Sequence, residues 1–447
     1  MSLRAALDRR SGRWPLYVVF GAFPLWWALG IGAFIFPLAA IPMALSLLTR
    51  RPLRLPKGFG LWLGFIGWML ASAMMLHLAP QAHSGRALAF VYRGSLYLSA
   101  TVFLLYFYQR SSRQVPVKLV LGVMTWLLAS VMLLGVAGIV VHHVEFRTVT
   151  ERLLPHSLEA NAFVHSLVHA QLASGTSLLG FKVARPIAPF NYTNEWGANV
   201  ALLIPFAVAL VYMTKRRRVR VLLVMGLIAS VAPIIISLNK GLWLSLSVGV
   251  VLIALRLAAR GRAKAFITVL LAMAVVAAVV LLTPLGHVIM DRLAHSNTAT
   301  RSSLYAQAQQ SAAGSPVFGY GSPVSTTSQG PSVGTHGQLW TLLVSNGIPA
   351  AALYIGFFGY SLLRFRRLQG QYLWLHAVIF IGLVQMPYYN ALPVELHIMM
   401  VSLALLARAH AEEPVLSPAP ARARPSLAPG PLQPAPAQAG PLSASLQ

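Results

Sequence analysis

The chain has 447 residues, of which 57% are hydrophobic and only 10% charged. Soluble domains carry about a quarter charged residues, so this composition excludes an ordinary water-soluble fold and calls for lipid as the solvent. The net charge of +26 suggests nucleic acid, but the cations lie between apolar runs rather than along one soluble face; the absence of cysteine excludes disulfides, thiolate metal sites and a cysteine nucleophile.

Arg4, Arg9, Arg10 and Arg13 precede an apolar run that starts at Pro15 with no small-residue cleavage site after it, which reads as an uncleaved first helix. Runs of spanning length follow one another over roughly 15–31, 33–49, 59–79, 87–108, 116–141, 194–213, 219–237, 241–259, 265–286, 340–363, 371–387 and 393–410. Gly30-Ile31-Gly32 is the only break between the first two. The expected fold is therefore an all-α polytopic membrane protein of about twelve transmembrane helices, with a transmembrane domain over 1–411.

Lys and Arg resist translocation and collect on the cytoplasmic side, which tests this layout. The segments that would be cytoplasmic hold Arg4 to Arg13; Arg50, Arg51, Arg54 and Lys57; Arg110, Arg113 and Lys118; Lys215, Arg216, Arg217, Arg218 and Arg220; Arg256, Arg260, Arg262 and Lys264; Arg364, Arg366 and Arg367; and Arg408, Arg422 and Arg424. That is 26 of the 35 Lys and Arg. Both termini are expected in the cytoplasm.

Two long outer segments are inserted, over 142–193 and 287–339. In the first, Leu154, Leu158, Ala162, Leu167 and Leu172 make an apolar stripe from Glu151 to Leu172, which predicts an amphipathic helix on the outer face of the membrane. The second is rich in Gly, Ser, Thr and Pro from Gly314 to Gly337 and reads as mobile backbone, a lid. The tail over 412–447 is Pro/Ala-rich without apolar periodicity and is expected to be disordered.

Nine cations remain on or near the outer side: Arg86, Arg93, Arg147, Arg152, Lys182, Arg185, Lys240, Arg292 and Arg301. Some have a bland explanation, with Arg147 pairing Glu145, Arg152 pairing Glu151 and Arg292 pairing Asp291. Arg86, Arg185, Lys240 and Arg301 have no acid within two positions, and Arg93 sits well inside a helix, where ionisable groups face cavities and mark functional paths. Planar guanidinium forks favour phosphate, and a lipid-anchored pyrophosphate lies at this depth. The outer acids are scattered in the sequence without a DxD-like pair, so no metal is expected at the site. His165 and His169, spaced i, i+4, have metal-ligand spacing; no third ligand is obvious, although His156 and His142-His143 share the loop, and they are read as the polar side of an interfacial helix. His336, in Gly334-Thr335-His336-Gly337, places an imidazole at the membrane surface just before an apolar helix, suited to take a proton from a sugar hydroxyl.

Three stretches between 181 and 360 carry a resemblance. Arg301 is followed by Ser315-Pro316-Val317-Phe318-Gly319-Tyr320-Gly321, then His336 and, after Gly337 and nine further residues, Gly347-Ile348-Pro349-Ala350. Arg185, Asn191, Asn194 and Asn199 lead into the sixth span, and Ser237-Leu238-Asn239-Lys240-Gly241-Leu242-Trp243 forms a turn before the eighth. Together these resemble the O-antigen ligase superfamily, which also includes O-antigen polymerases and protein O-oligosaccharyltransferases. The family pattern has Asn, Ser or Gln where Gly337 stands, Gly, Thr or Tyr where Ala350 stands, and usually Arg where Lys240 stands.

The resemblance implies a GT-C-like glycosyltransferase architecture with two long periplasmic loops in a bacterial inner membrane. It implies transfer of polysaccharide from an undecaprenyl pyrophosphate-linked glycan donor to a lipid A-core acceptor, inverting and without a metal or other cofactor. The implied catalytic residues are His336, Arg301 and Arg185; Lys240, Arg86, Arg147, Arg93, Asn191, Asn194 and Tyr320 are the implied substrate-binding residues. Membrane lipids are the other expected partners, nucleic acid is not, and the chain is expected to act as a monomer. A polymerase or protein-glycosylating activity, and a transporter or flippase of a lipid-linked anion, are the alternatives.

Overall fold

In an apolar medium every backbone N–H and C=O must find a partner inside the chain, so long apolar runs close into helices. The computed structural model describes residues 12–49, 52–77, 84–141, 143–159, 162–178, 181–261, 298–324 and 336–412, with scattered positions between 264 and 286. Almost everything described falls in the unit Met1–His410; of Ala411–Gln447 only the two residues that close the last helix are described.

The described chain opens with a π-helical turn, Leu16–Gly21, followed by α1 (Phe23–Leu29). Gly30, in the left-handed region at φ 83°, ends α1, so the expected break falls where the sequence put it. Next come α2 (Ile35–Leu48) and α3 (Phe59–Ala71), the latter continued by a 3-10 turn over Ser72–Met75. Then follow α4 (Ser84–Gln109) and α5 (Val117–Val140). The segment between α5 and the next long helix holds α6 (Val149–Leu153), α7 (His156–Glu159) and α8 (Ala162–Val168), with strands β1 (Glu145–Phe146), β2 (Ala170–Gln171), β3 (Ala173–Leu178) and β4 (Phe181–Pro186). The second half contains α9 (Thr193–Met213), α10 (Arg217–Ile236), α11 (Lys240–Ala258), α12 (Thr298–Gly314), α13 (Gln338–Phe365), α14 (Gln371–Gln385) and α15 (Val394–Glu412).

Among the described residues, seven helices are long and apolar enough to cross a membrane, namely α4, α5, α9, α10, α11, α13 and α15, and α2, α3 and α14 are shorter apolar helices. Each coincides with an expected span. More than half of the span over 265–286 lies outside the described residues, as do the whole of the loop over 325–335 and of the tail beyond Glu412.

The last helix is the central one: every residue of α15 from Val394 to Ala409 is buried. By contrast α10 exposes Leu222, Met225 and Ile228, as a lipid-facing helix does. Around the centre, α9 packs on α5 and α14, α13 on α3, and α2 on α4. Within the core His397 stacks on Phe36, with ring centroids 4.2 Å apart, and its Nε2 shares a 2.8 Å hydrogen bond with the Ser99 hydroxyl.

Several of the expected inner cations meet at one end of the bundle. Arg13 Nε donates to the Gln114 carbonyl at 2.8 Å, and Arg408 donates to the carbonyls of Arg110 (3.1 Å) and Val115 (3.0 Å). Arg256 donates to the Arg366 carbonyl and Arg260 to that of Leu368. The guanidinium groups cap carbonyls at helix C-termini and the turns after them, where the macrodipole also favours positive charge.

Two outer segments differ from expectation. In place of one amphipathic helix from Glu151 to Leu172 there are three short helices and a pair of two-stranded ladders. Leu154 is extended because it precedes Pro155, which stops α6 after five residues. Phe146 then pairs with Ala170 in β1–β2, and Ala173 to Leu178 form a hairpin with Phe181 to Pro186. In the second segment, Thr298–Gly314 is a helix rather than loop; its Leu304 and Ala308 are buried and its Tyr305 ring stacks on Trp340 of α13 at 5.1 Å.

The chain's lack of cysteine makes the two ends testable by single-cysteine labelling. Arg216→Cys and Arg367→Cys, both exposed, should react with an impermeant maleimide on one side of sealed vesicles, and Arg147→Cys on the other. Labelling of all three from the same side contradicts this arrangement.

Candidate functional site

The Gly-rich turn and the helix after it are built as one unit. Inside α13 the helix breaks at Gly347, whose φ 82° and ψ 177° belong to a region open essentially to glycine alone. The break frees backbone groups, and the 315–321 turn takes them up: Tyr320 N–H donates to the Val344 carbonyl (2.9 Å), Gly321 N–H to that of Ser345 (2.7 Å), and Ile348 N–H to that of Pro316 (2.8 Å). The turn itself is closed by the Ser315 hydroxyl on the Gly319 carbonyl at 2.7 Å. On its far side Trp68 donates to the Val317 carbonyl at 2.9 Å and stacks on Phe318, and Arg86 donates to the carbonyls of Tyr320 (2.6 Å) and Leu76 (2.8 Å). The turn continues directly from α12, so this latch also fixes the helix that carries Arg301 one turn before Tyr305.

His336 lies half-buried on the bend before α13. Two residues on, Gln338 is fully buried: its backbone N–H donates to the Tyr389 carbonyl (2.8 Å), its amide to the Tyr97 hydroxyl (2.8 Å), and its carbonyl accepts from the Ala391 N–H (3.2 Å). The turn over 386–391 is thus a dock for the His336 segment, completed by Trp340 on the Pro387 carbonyl. Tyr389 of the same turn donates to the Asn239 side-chain carbonyl. Asn239 caps α11, which begins at Lys240, and its amide reaches the Thr193 carbonyl at 3.0 Å. Leu238 has a positive φ of 50°, so this turn is held in a strained form. Arg185, at the end of β4, donates from Nε to the Ser237 carbonyl at 2.9 Å. His336, Lys240 and Arg185 therefore ride on segments hydrogen-bonded in series at one edge. Beside them Ser245 hydrogen-bonds the Tyr388 hydroxyl at 3.0 Å; burial pushes the Tyr388 phenol above its ordinary value, which keeps it neutral.

A polar layer lies just beneath. Asn199 donates to the Glu395 carboxylate and to the Glu195 carbonyl, each at 2.9 Å, and the Glu195 carboxylate accepts from the Asn191 N–H at 3.1 Å. Both acids, with Asn191, Asn199 and His169, line one narrow cleft. Arg93 stands on α4 beside Tyr92 and one turn before Tyr97. Arg93 Nη1 and one Glu395 oxygen are buried without a hydrogen-bond partner among the described residues.

The expected residues thus separate. Arg185, Lys240 and His336 share the edge; Arg93 and Asn191 belong to the layer below; Asn194 is half-buried in the first turn of α9. Arg301 is placed by its helix. Tyr320 spends both backbone polar groups on the latch, and its ring packs with Ala308, Val324 and Val344. Arg86 gives two donors to backbone carbonyls. Arg147 lies elsewhere, half-exposed, and pairs with Glu151 at 3.6 Å rather than with Glu145.

The acids are not scattered in space. Glu195 and Glu395 share a cleft although 200 positions separate them, and Glu151 meets His165 and His169. Glu195 and Glu395, together with Asn239, Gln338 and Tyr389, were missed because their partners are far along the chain. Glu195 and Glu395 each carried a local signal, an acid at the start of an apolar span. Comparison with known protein families gives no match, and comparison with curated proteins gives none either.

The latch makes a specific prediction. In Gly347→Ala the added Cβ overlaps the Val317 carbonyl and lies 2.8 Å from that of Pro316, on backbone that alanine avoids. The substitution should cost about 2 kcal/mol or more, read as a lowered Tm of the detergent-purified protein. An unchanged Tm removes the latch as a determinant of the fold.

Proposed function

We propose that this chain is a lipid-linked glycan transferase of the O-antigen ligase type, with twelve spanning helices in a GT-C-like arrangement and both termini in the cytoplasm of a bacterial inner membrane. The donor is a glycan on undecaprenyl pyrophosphate, and the acceptor is a lipid A-core hydroxyl. The observation that carries the reading is the serial hydrogen bonding of the Arg185, Lys240 and His336 segments at one edge, with the Arg301 helix latched beside them.

In this reading His336 takes the proton from the acceptor hydroxyl as its oxygen attacks the anomeric carbon in line with the departing pyrophosphate. The C–O bond to phosphate breaks and the configuration inverts. Charge that builds on the leaving group is met by guanidinium and ammonium groups from Arg185, Arg301 and Lys240. These cations do the work that a metal does in other transferases, and no metal is assigned to the step. The surplus of cations over acids on the outer side supports an anionic substrate.

The break in α13 bears on the transporter reading, since broken helices at membrane depth hold ions or substrates in many carriers. Here the freed carbonyls of Val344 and Ser345 are consumed by the chain's own turn. That favours a transferase over a carrier.

Purified His336→Ala should keep the wild-type melting curve and lose transfer by about 10²- to 10⁴-fold. Arg301→Lys should lose most activity as well, because the planar fork is gone. The assay uses purified protein, a lipid-linked glycan and lipid A-core with EDTA present, and product is expected despite the chelator. Wild-type rates from His336→Ala remove the base; activity that depends on an added divalent ion removes the metal-free mechanism.

A further inference from the structure

We infer that Glu151, His165 and His169 form a divalent transition-metal site, of the zinc class, in the outer loop. It is separate from the proposed transfer chemistry and does not rest on it. The three ligand atoms lie within 4.8 Å of one another. His165 Nε2 is 3.5 Å from Glu151 Oε1, and His169 Nδ1 is 3.3 Å from that same oxygen and 3.2 Å from Oε2. Tetrahedral bonds of about 2.0–2.1 Å put neighbouring ligand atoms roughly 3.3–3.4 Å apart, so two of the three edges already have the spacing a bound zinc needs. The third edge, between the two imidazoles, closes by rotation of His165, whose side chain is 46% exposed.

The frame around the site is rigid. The His169 N–H donates to the His165 carbonyl at 3.0 Å, which carries the helical turn through the i, i+4 pair, and the two rings stack at 4.9 Å and 17°. Thr148 ties the ligand-bearing segments together. Its hydroxyl donates to the Val168 carbonyl (2.7 Å) and accepts from the Glu151 N–H (3.2 Å), and its own N–H donates to the Glu151 carboxylate (3.3 Å). That last bond orients the carboxylate from behind, as outer-shell partners of metal ligands do. The β1–β2 pairing, Glu145 with Gln171 and Phe146 with Ala170, joins the same two segments a second time.

The chemistry of the set selects the ion. Two imidazoles and one carboxylate suit zinc and its neighbours, whereas calcium and magnesium favour all-oxygen shells. The Glu151 carboxylate is 3% exposed, and a charge so buried requires a compensating partner. Its only Lys or Arg partner among the described residues is the Arg147 guanidinium, 53% exposed and at 3.6 Å on one oxygen, which can swing to solvent as a metal enters. His169 also lines the cleft that holds Glu195 and Glu395, so a bound metal would fix the loop against that cleft.

The test uses full-length, tag-free protein in detergent, stripped with chelator and titrated with zinc chloride. One zinc per chain should bind, the Tm should rise with zinc concentration, and cobalt in place of zinc should give the intense visible bands of a tetrahedral site. His165→Ala removes an exposed ring and leaves the frame intact; His169→Ala is the companion variant. Each should weaken zinc binding by about 100-fold and abolish the zinc-dependent Tm shift. Glycan transfer by the stripped protein tests the other proposal separately, since metal binding is read without it. Absence of stoichiometric zinc, or equal binding by wild type and both variants, overturns the site and leaves Glu151 as a helix cap hydrogen-bonded by two histidines.

Discussion

The arrangement of the end of the bundle that carries His336 depends on a broken helix that is repaired by a distant turn. At Gly347 α13 gives up its own ladder, and in apolar surroundings a backbone group left without a partner costs several kcal/mol. The N–H groups of Tyr320 and Gly321 and the carbonyl of Pro316 cancel that cost. Neither the break nor the turn is stable without the other, and α12 is positioned as a consequence. Trp68 and Arg86 press the turn from the opposite side, so helices α3 and α4 are drawn into the same junction.

A second junction, made by amide side chains, holds the other half of the edge. Gln338 and Asn239 each satisfy donor and acceptor at once, one on Tyr97 and Ala391, the other on Thr193, Tyr389 and Leu242. Such groups link four helix ends through a buried layer in which every lost hydrogen bond is expensive. The two ends of the bundle use their polar groups differently. At the end that holds Arg13 and Arg408, guanidinium groups close backbone carbonyls; at the end that holds Asn239 and Gln338, amides, acids and imidazoles build a cleft.

How much of this was legible depends on the range of the interaction involved. Spans such as Val117–Val140 and Thr193–Met213 were legible within a few residues, because apolar length is a local property. The grouping of Arg13, Arg110 and Arg408 was legible for the same reason, since loop charge follows from which side each span ends on. The helix over Thr298–Gly314 was not, because its apolar residues are few and it is held by Trp340 and the latch rather than by its own pattern. The outer loop misled in the opposite direction. Its apolar stripe promised one helix, but Pro155 and the pairing of Phe146 with Ala170 divide it.

The sequence by itself determined a membrane-embedded helical chain, the limits of its apolar helices, the separation of its cations into two sets, and Arg185, Lys240, Arg301 and His336 as the residues to follow. Only the tertiary structure decided that Glu195 meets Glu395, that Glu151 joins His165 and His169, and that Arg86 and Tyr320 serve the latch. Burial and charge along a span are set by the residues of that span and its solvent. Convergence of side chains hundreds of positions apart is set by how helices pack and where their ladders break, and a one-dimensional pattern carries no record of either.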